Sequence, residues 1–177
     1  MRFILTFLIS FGLCLCVHAQ SRTPTRTEVR ERLEQELDRL ELEGELEMLR
    51  LRQSYIAALD VLIERMESSG DDDGAAVARA ERERVAGGAL RPERVGGNLD
   101  LAMLMQAMQS RVDEQEKDLK RRRAELVASF QNGARQVAER MAAHGSNEAA
   151  ASWREFAEEI GRVAGEGRLQ FVGGGGG

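Results

Sequence analysis

The sequence predicts an all-α protein made of two helical hairpins, each with one long arm and one short arm, packed as a coiled-coil-like bundle. Apolar residues recur every three or four positions over two long stretches, and each long stretch is followed by a glycine-containing break and a shorter stretch with the same period. The only prolines, Pro24 and Pro92, lie outside these stretches. Alanine, leucine, glutamate and arginine are abundant, as is typical of long helices.

The residues before the first helix are typical of a secretory signal peptide. Arg2 is followed by the apolar run 3–17 and then by the small-residue exit Val17-His18-Ala19. The run is about 15 residues long, which is shorter than the roughly 20 needed to span a bilayer. We therefore expect residues 1–19 to be removed and the protein to be exported to the periplasm or the cell exterior. Retention of this segment as a membrane anchor is the alternative.

Cleavage after Ala19 would leave a chain without thiols, because both cysteines, Cys14 and Cys16, lie in the signal segment. Such a chain has neither a disulfide framework nor a thiolate metal site. Of the 25 Lys and Arg residues one, Arg2, is also removed, so the processed chain has about six more acidic than basic residues. This charge disfavours nucleic acid as a partner.

The first hairpin is predicted over residues 20–86, with its long helix from Thr27 to about Ser69. Thr25 and Glu28 have the spacing of a capping box, in which each side chain accepts a hydrogen bond from the other's backbone amide. The main apolar series is Val29, Leu33, Leu37, Leu40, Leu51, Tyr55, Leu59, Leu62 and Met66. A second series repeats every seven residues and comprises Leu42, Leu49, Ile56 and Ile63. Two series predict a wide apolar face with more than one neighbouring helix.

The break after Ser69 leads into a short return helix predicted from Ala75 to about Ala86. Gly70 suits a left-handed helix end, and Asp72 or Asp73 suits the N-cap of the next helix. The residues expected to face inward are Val77, Ala80 and Val85. A calcium loop is not expected at the acidic run, because a required ligand position is Ala75.

A glycine- and proline-containing linker, residues 87–98, precedes the second hairpin, residues 99–164. Its long helix is predicted from Leu99 to about Ala143, with a place where it can bend at Asn132-Gly133. Its apolar series is Leu101, Leu104, Met108, Val112, Leu119, Leu126, Phe130, Val137 and Met141. The return helix is predicted over 148–164, and the remainder, residues 165–177, reads as a flexible glycine-rich tail.

The two hairpins look like copies of each other at an offset of 75 residues. Without a gap, this offset aligns Glu64-Arg65-Met66 with Glu139-Arg140-Met141, and Gly70 with Gly145. Further pairs in the same register are Leu51 with Leu126, Tyr55 with Phe130, Ala75-Ala76 with Ala150-Ala151, and Arg79 with Arg154. The sequence therefore predicts an internal duplication.

The arms are unequal, because each long helix would reach roughly 65 Å and each return helix only about 20 to 25 Å. The stretches 29–49 and 101–119 should then be buried by each other or by another copy of the chain. The interaction seam predicted on this basis consists of Leu33, Leu37, Leu40, Leu42, Leu49, Leu101, Leu104, Met108, Val112 and Leu119. Its partner would be a protein, either a second copy or another component of the cell envelope.

The run Leu51-Arg52-Gln53-Ser54-Tyr55-Ile56-Ala57-Ala58-Leu59, followed by Gly70-Asp71 and by residues 75–83, resembles helical hairpin modules in exported proteins of planctomycete and verrucomicrobial bacteria. The resemblance covers about half of the processed chain. The second hairpin departs from it, with Phe130 in place of the tyrosine and Trp153 on the return helix. Such modules often accompany carbohydrate-binding or sulfatase-related domains, so the resemblance implies an accessory or spacer role without catalytic residues.

Individual residues carry little catalytic chemistry. His144, the only histidine left after processing, lies in a turn without clustered ligands, and Glu158 and Glu159 are expected to be solvated. We predict no catalytic residue, metal or cofactor.

Two clusters have alternative readings. Met103, Met105 and Met108 are either core residues or a flexible surface for apolar clients. The basic run 120–123 is either a solvated face paired with Glu114, Glu116 and Asp118, or a contact for an anionic polymer. The leading prediction is a non-enzymatic structural or interaction protein. A periplasmic holdase-type chaperone is the alternative, and an enzyme of unknown class is a distant third.

Overall fold

The computed structural model describes residues 23–91 and 98–165, and within these ranges the chain is all-α, as predicted. The four helices are α1 (Arg26–Ser69), α2 (Asp72–Ala86), α3 (Leu99–Ala143) and α4 (Asn147–Gly165). No strand occurs in these two ranges. The predicted signal peptide, part of the predicted linker (92–97) and the tail from residue 166 onward lie outside the described residues. The alternation of long and short helices is the predicted one, and each short helix packs on the long helix before it.

The first helix begins at the predicted capping box. Thr25 Oγ1 accepts a hydrogen bond from the Glu28 amide at 3.2 Å, and Glu28 Oε2 accepts one from the Thr25 amide at 2.6 Å. Two amides that have no partner within the helix are thereby satisfied. Helix α1 starts at Arg26, one residue before the predicted start.

Helices α1 and α3 end in the same kind of turn. Gly70 and Gly145 both adopt left-handed backbone conformations, with φ of 76° and 79°. In both turns the glycine amide bonds to the carbonyl three residues earlier, and the following amide bonds to the carbonyl five residues earlier, at 2.9 to 3.1 Å. This is the Schellman pattern of a helix end. The two turns are 75 residues apart, which agrees with the offset between the predicted copies; the duplication itself stays a prediction.

Alanine at Gly70 or at Gly145 is expected to lower the free energy of unfolding by about 1–2 kcal/mol, because an L-residue is strained in the left-handed region. Nothing lies within 4 Å of an added Cβ at either site, so crowding does not contribute. Gly133→Ala is the matched control, since Gly133 is inside α3 with equally open space. It should raise stability by roughly 0.5–1 kcal/mol. Urea unfolding followed by circular dichroism measures all three, and a Gly145→Ala variant as stable as Gly133→Ala would contradict the equivalence of the turns.

Most of the buried apolar residues in the described ranges form two separate clusters, one near each end of the long helices. Cluster one joins the C-terminal half of α1, helix α2 and the N-terminal half of α3. Its buried members are Tyr55, Leu59, Leu62, Ile63, Met66, Ala75, Ala78, Val85, Leu101, Met105, Met108 and Val112. Cluster two joins the N-terminal part of α1, the C-terminal half of α3 and α4. Its buried members are Leu33, Leu37, Val127, Ala134, Val137, Ala138, Trp153, Phe156, Ala157 and Ile160.

These contacts make α1 and α3 antiparallel, with α2 and α4 at opposite ends of the pair. The expectation that the stretches 29–49 and 101–119 cover each other is therefore wrong. Each stretch packs instead against the far half of the other long helix and the short helix that accompanies it. The two stretches meet at their inner ends, where Leu119 lies against Gly44.

The middle of the α1–α3 pair is held by a close approach and by an ion pair between the helices. Gly44 is buried, and an added Cβ would lie 3.0 Å from Leu119 Cδ2, so glycine lets the helices come close here. Beside it Arg122 Nη2 donates to Glu43 Oε2 at 2.6 Å.

Helix α2 differs from its predicted form at its start and on its inward face. The N-cap is Asp71, whose carboxylate accepts a hydrogen bond from the Gly74 amide at 2.9 Å, and not Asp72 or Asp73. The helix therefore begins three residues before the predicted Ala75. Of the residues predicted to face inward, Val85 is buried, Val77 is half-buried and Ala80 is exposed. The inward face is centred on Ala75, Ala78, Glu81 and Val85.

Candidate interaction surface

Three leucines on the middle of α1 are exposed to solvent. Leu42, Leu46 and Leu49 retain 57%, 45% and 43% of their full exposure. Their spacing of four and three residues places them on one face of the helix. We call these three residues the leucine stripe.

The leucine stripe faces away from α3. Gly44, which contacts Leu119 of α3, is two residues from both Leu42 and Leu46. Two residues correspond to about 200° around an α-helix, so the stripe lies on the opposite side of α1 from α3. Helix α3 therefore cannot cover it.

Helix α2 ends just before the leucine stripe begins. Ile56 and Ile63 continue the seven-residue series of Leu42 and Leu49, and both pack in or against cluster one. Arg52 Nη2 donates to the carbonyl of Gly88, two residues beyond the last residue of α2, at 3.4 Å. The leucine stripe is therefore the uncovered continuation of a helix face whose C-terminal half is packed.

Charged residues lie beside the leucine stripe, acidic near its N-terminal end and basic near its C-terminal end. They are Glu43, Glu45, Arg50 and Arg52. Glu43 bonds through Oε2 to Arg122 at 2.6 Å and through Oε1 to Arg39 at 3.1 Å. The Arg122 hydrogen bond, with a smaller contribution from Arg39, holds the pKa of the Glu43 carboxyl below its usual range.

Most of the predicted interaction seam is packed inside the chain. The buried members are Leu33, Leu37, Leu40, Leu101, Met108 and Val112, and the half-buried members are Leu104 and Leu119. Only Leu42 and Leu49 are exposed. Whether any of the ten binds a partner stays a prediction, but only these two are exposed to one.

Leu46 belongs to the exposed face but was not in the predicted seam. Its signal was present in the sequence, because it lies four residues after Leu42 and three before Leu49. The seven-residue series of Leu42, Leu49, Ile56 and Ile63 does not include it.

A buried polar cluster beside cluster one is a feature that the sequence did not indicate. Glu81 is only 3% exposed. Its carboxylate accepts two hydrogen bonds from Arg84, at 2.7 and 2.9 Å, and one from the Tyr55 hydroxyl at 3.1 Å. Burial, together with the neighbouring Glu81 charge, raises the pKa of the Tyr55 hydroxyl far above its usual value, so the tyrosine stays a donor. The three side chains satisfy one another, as a buried charge requires.

The residues considered as candidates for catalysis, metal binding or client binding do not lie together. His144 is exposed at the C-cap of α3. Met105 and Met108 are buried in cluster one, whereas Met103 is 57% exposed. Within the described ranges, no group of three or more histidine, cysteine, aspartate and glutamate side chains is placed to hold a metal ion.

Two of the four residues of the basic run 120–123 form ion pairs. Arg121 pairs with Asp118 and Glu125, and Arg122 pairs with Glu43. Asp118 is thus a confirmed partner of the run, whereas Glu116 pairs with Arg91 at 2.6 Å.

The expectation that Glu159 is solvated is wrong. It is half-buried and pairs with Arg30 of α1 at 3.2 Å, and the Arg30 guanidinium also lies 5.7 Å from the centre of the Phe156 ring. This contact fastens α4 to α1. Glu158 is exposed, as expected.

A groove of about 440 Å³ lies between the middle of α1 and α3. Its lining is mostly charged and comprises Glu47, Arg50, Leu51, Ser54, Arg111, Glu114 and Gln115. Small-molecule sites are mostly apolar and enclosed, so this groove does not resemble one.

No protein-family model, curated protein or solved structure matches the chain. Among the helices in residues 23–91 and 98–165, none is long and apolar enough to cross a membrane.

Proposed function

We propose that this chain is an exported, non-enzymatic structural or interaction protein that binds a helix of another protein molecule through the leucine stripe. The observation that carries the proposal is the exposure of Leu42, Leu46 and Leu49 on one face of a helix. Leucines at this spacing are the usual contact residues between helices. Export is supported by the signal-like residues 1–19.

The middle of α1 is suited to such a contact because it is already held in place. Cluster one and cluster two fix α1 on either side of the stripe, so a partner helix would meet a preformed surface. Little conformational entropy is then lost on binding. The partner would cover the face that α2 leaves open.

A holdase-type chaperone is less well supported. That hypothesis relied on a flexible methionine surface, and two of the three methionines, Met105 and Met108, are buried. Met103 alone presents most of its side chain.

A photoactivatable phenylalanine derivative at position 46, introduced into the full chain in its native cells, tests the proposal. We expect crosslinks to protein from position 46. The matched control is position 61, because Val61 is an equally exposed apolar residue of α1, at 58%, outside the stripe. Absence of a protein adduct at position 46, or equal adducts at both positions, would contradict the proposal.

A further inference from the structure

The charges beside the leucine stripe are arranged so that the stripe complements itself. Glu43 and Arg50 are seven residues apart and lie along one flank, while Glu45 and Arg52 are seven apart along the other. Each flank therefore runs from an acidic residue to an arginine in the direction of the chain. Such a surface matches a reversed copy of itself.

Resting on the proposed function, we propose that the partner of the leucine stripe is a second copy of this chain, bound antiparallel. Antiparallel helices bring each flank against the same flank of the other copy. In one register Leu46 packs on Leu49 of the other copy, and Leu42 packs on Gln53. Glu45 then faces Arg52 of the other copy, and Glu43 faces Arg50. Each of these contacts occurs twice, because a two-fold interface is made of the same patch on both molecules.

Parallel pairing of the same stripe is less favourable. It sets Glu45 against Arg50 of the other copy, but it also brings Asp38 against Glu43 and stacks Arg39 on Arg39. Like charges in these positions oppose association. The order of charges along α1 thus selects the antiparallel arrangement.

The flanking charges can serve such a contact. Glu45 and Arg50 are exposed. Glu43 accepts a hydrogen bond from Arg122 through Oε2 and one from the exposed Arg39 through Oε1. The Arg39 contact is a surface pair and contributes little to stability. Arg50 of a second copy can replace Arg39 there. Arg52 is half-buried, with Nη2 bonded to the carbonyl of Gly88 and Nε buried, so Glu45 of a second copy would meet the remaining donors on Nη1 and Nη2.

Sedimentation equilibrium of the purified protein, expressed from its full sequence, tests for the dimer. We expect a reversible monomer–dimer equilibrium that Leu46→Glu weakens by at least about tenfold. Val61→Glu, at an exposed apolar position outside the stripe, should leave it unchanged. Both positions are exposed in the monomer, so neither change should disturb folding, and circular dichroism checks this. A strict monomer, or a dimer weakened equally by Val61→Glu, would overturn the inference.

Charge exchange tests the register. In the antiparallel dimer, residue 45 of each copy faces residue 52 of the other. Glu45→Arg alone therefore places arginine opposite arginine at both contacts, and Arg52→Glu alone places glutamate opposite glutamate at both. Each change should weaken self-association about tenfold. An equimolar mixture of the two variants should dimerise at least as well as the original protein, because every flank contact is again between opposite charges. If Arg50→Glu rather than Arg52→Glu restores association with Glu45→Arg, the helices are parallel and the proposed register is wrong.

The outcomes separate this inference from the proposed function. A monomer in sedimentation, together with crosslinks from position 46 to a different protein, refutes the second copy as partner but leaves the leucine stripe as a binding surface. A monomer without any crosslink from position 46 refutes both.

Discussion

Leu59→Ala is expected to lower the free energy of unfolding by about 2–5 kcal/mol, the usual cost of removing a fully buried leucine side chain. Leu59 is 0% exposed and belongs to cluster one, where α1, α2 and α3 meet. Three helices fix the walls of the cavity that the substitution leaves, so little relaxation can fill it. Urea unfolding followed by circular dichroism measures the loss.

Val61→Ala is the control for this substitution, because Val61 is two residues away on the same helix and 58% exposed. Its effect should stay within about 0.5 kcal/mol. Trp153, the only tryptophan, lies in cluster two and reports on the other end of the molecule. In Leu59→Ala, the unfolding transition seen by Trp153 fluorescence should move to lower urea together with the transition seen by circular dichroism. The reason is that α1 and α3 run through both clusters. If the urea midpoint of the fluorescence transition stays at that of the original protein, the two ends of the molecule unfold independently.

Arg84→Ala is expected to cost roughly 2–4 kcal/mol, because it leaves the buried carboxylate of Glu81 without its charged partner. Among the described residues, Glu81 would then keep only the hydrogen bond from the Tyr55 hydroxyl. Arg84 itself is 22% exposed at its side chain, which keeps the expected loss below that of a fully buried pair.

The control is Arg82→Ala on the same helix. Arg82 also pairs with a carboxylate, that of Asp60, but both of these side chains are more than 40% exposed. An exposed pair contributes at most about 1 kcal/mol, so this variant should unfold almost as the original protein does. Equal losses in Arg82→Ala and Arg84→Ala would mean that burial of Glu81 carries no penalty. Chemical denaturation of both variants at neutral pH gives the comparison.

The helices were predictable because their signals are local. The capping box at Thr25 and Glu28, and the left-handed glycine at position 70, act through hydrogen bonds within a few residues of each other. Long helix α3 was predicted with its observed bounds, since Asn98, the last residue of the predicted linker, caps it. Even the error at α2 is a local one, because three consecutive aspartates compete for one N-cap position.

The inward and outward sides of the helices were less predictable. Leu40 and Leu42 have the same side chain and lie two residues apart, yet Leu40 is 8% exposed and Leu42 is 57% exposed. Ala80 was expected to face the core and is exposed, whereas Glu81 is buried. A glutamate on a helix ordinarily indicates a solvated face, and only Arg84 and Tyr55 make its burial tolerable.

By itself the sequence determined the all-α class, the four helices and their turns, because helix period, caps and glycine breaks are set by neighbouring residues. Only the tertiary structure decided that α1 and α3 are antiparallel and that each short helix lies at its own end of the pair. It also decided which apolar side chains stay exposed. The physical reason is that a side chain is buried by a helix distant in sequence. On α1, α3 covers one face and α2 covers another only as far as Arg52, which leaves Leu42, Leu46 and Leu49 in solvent.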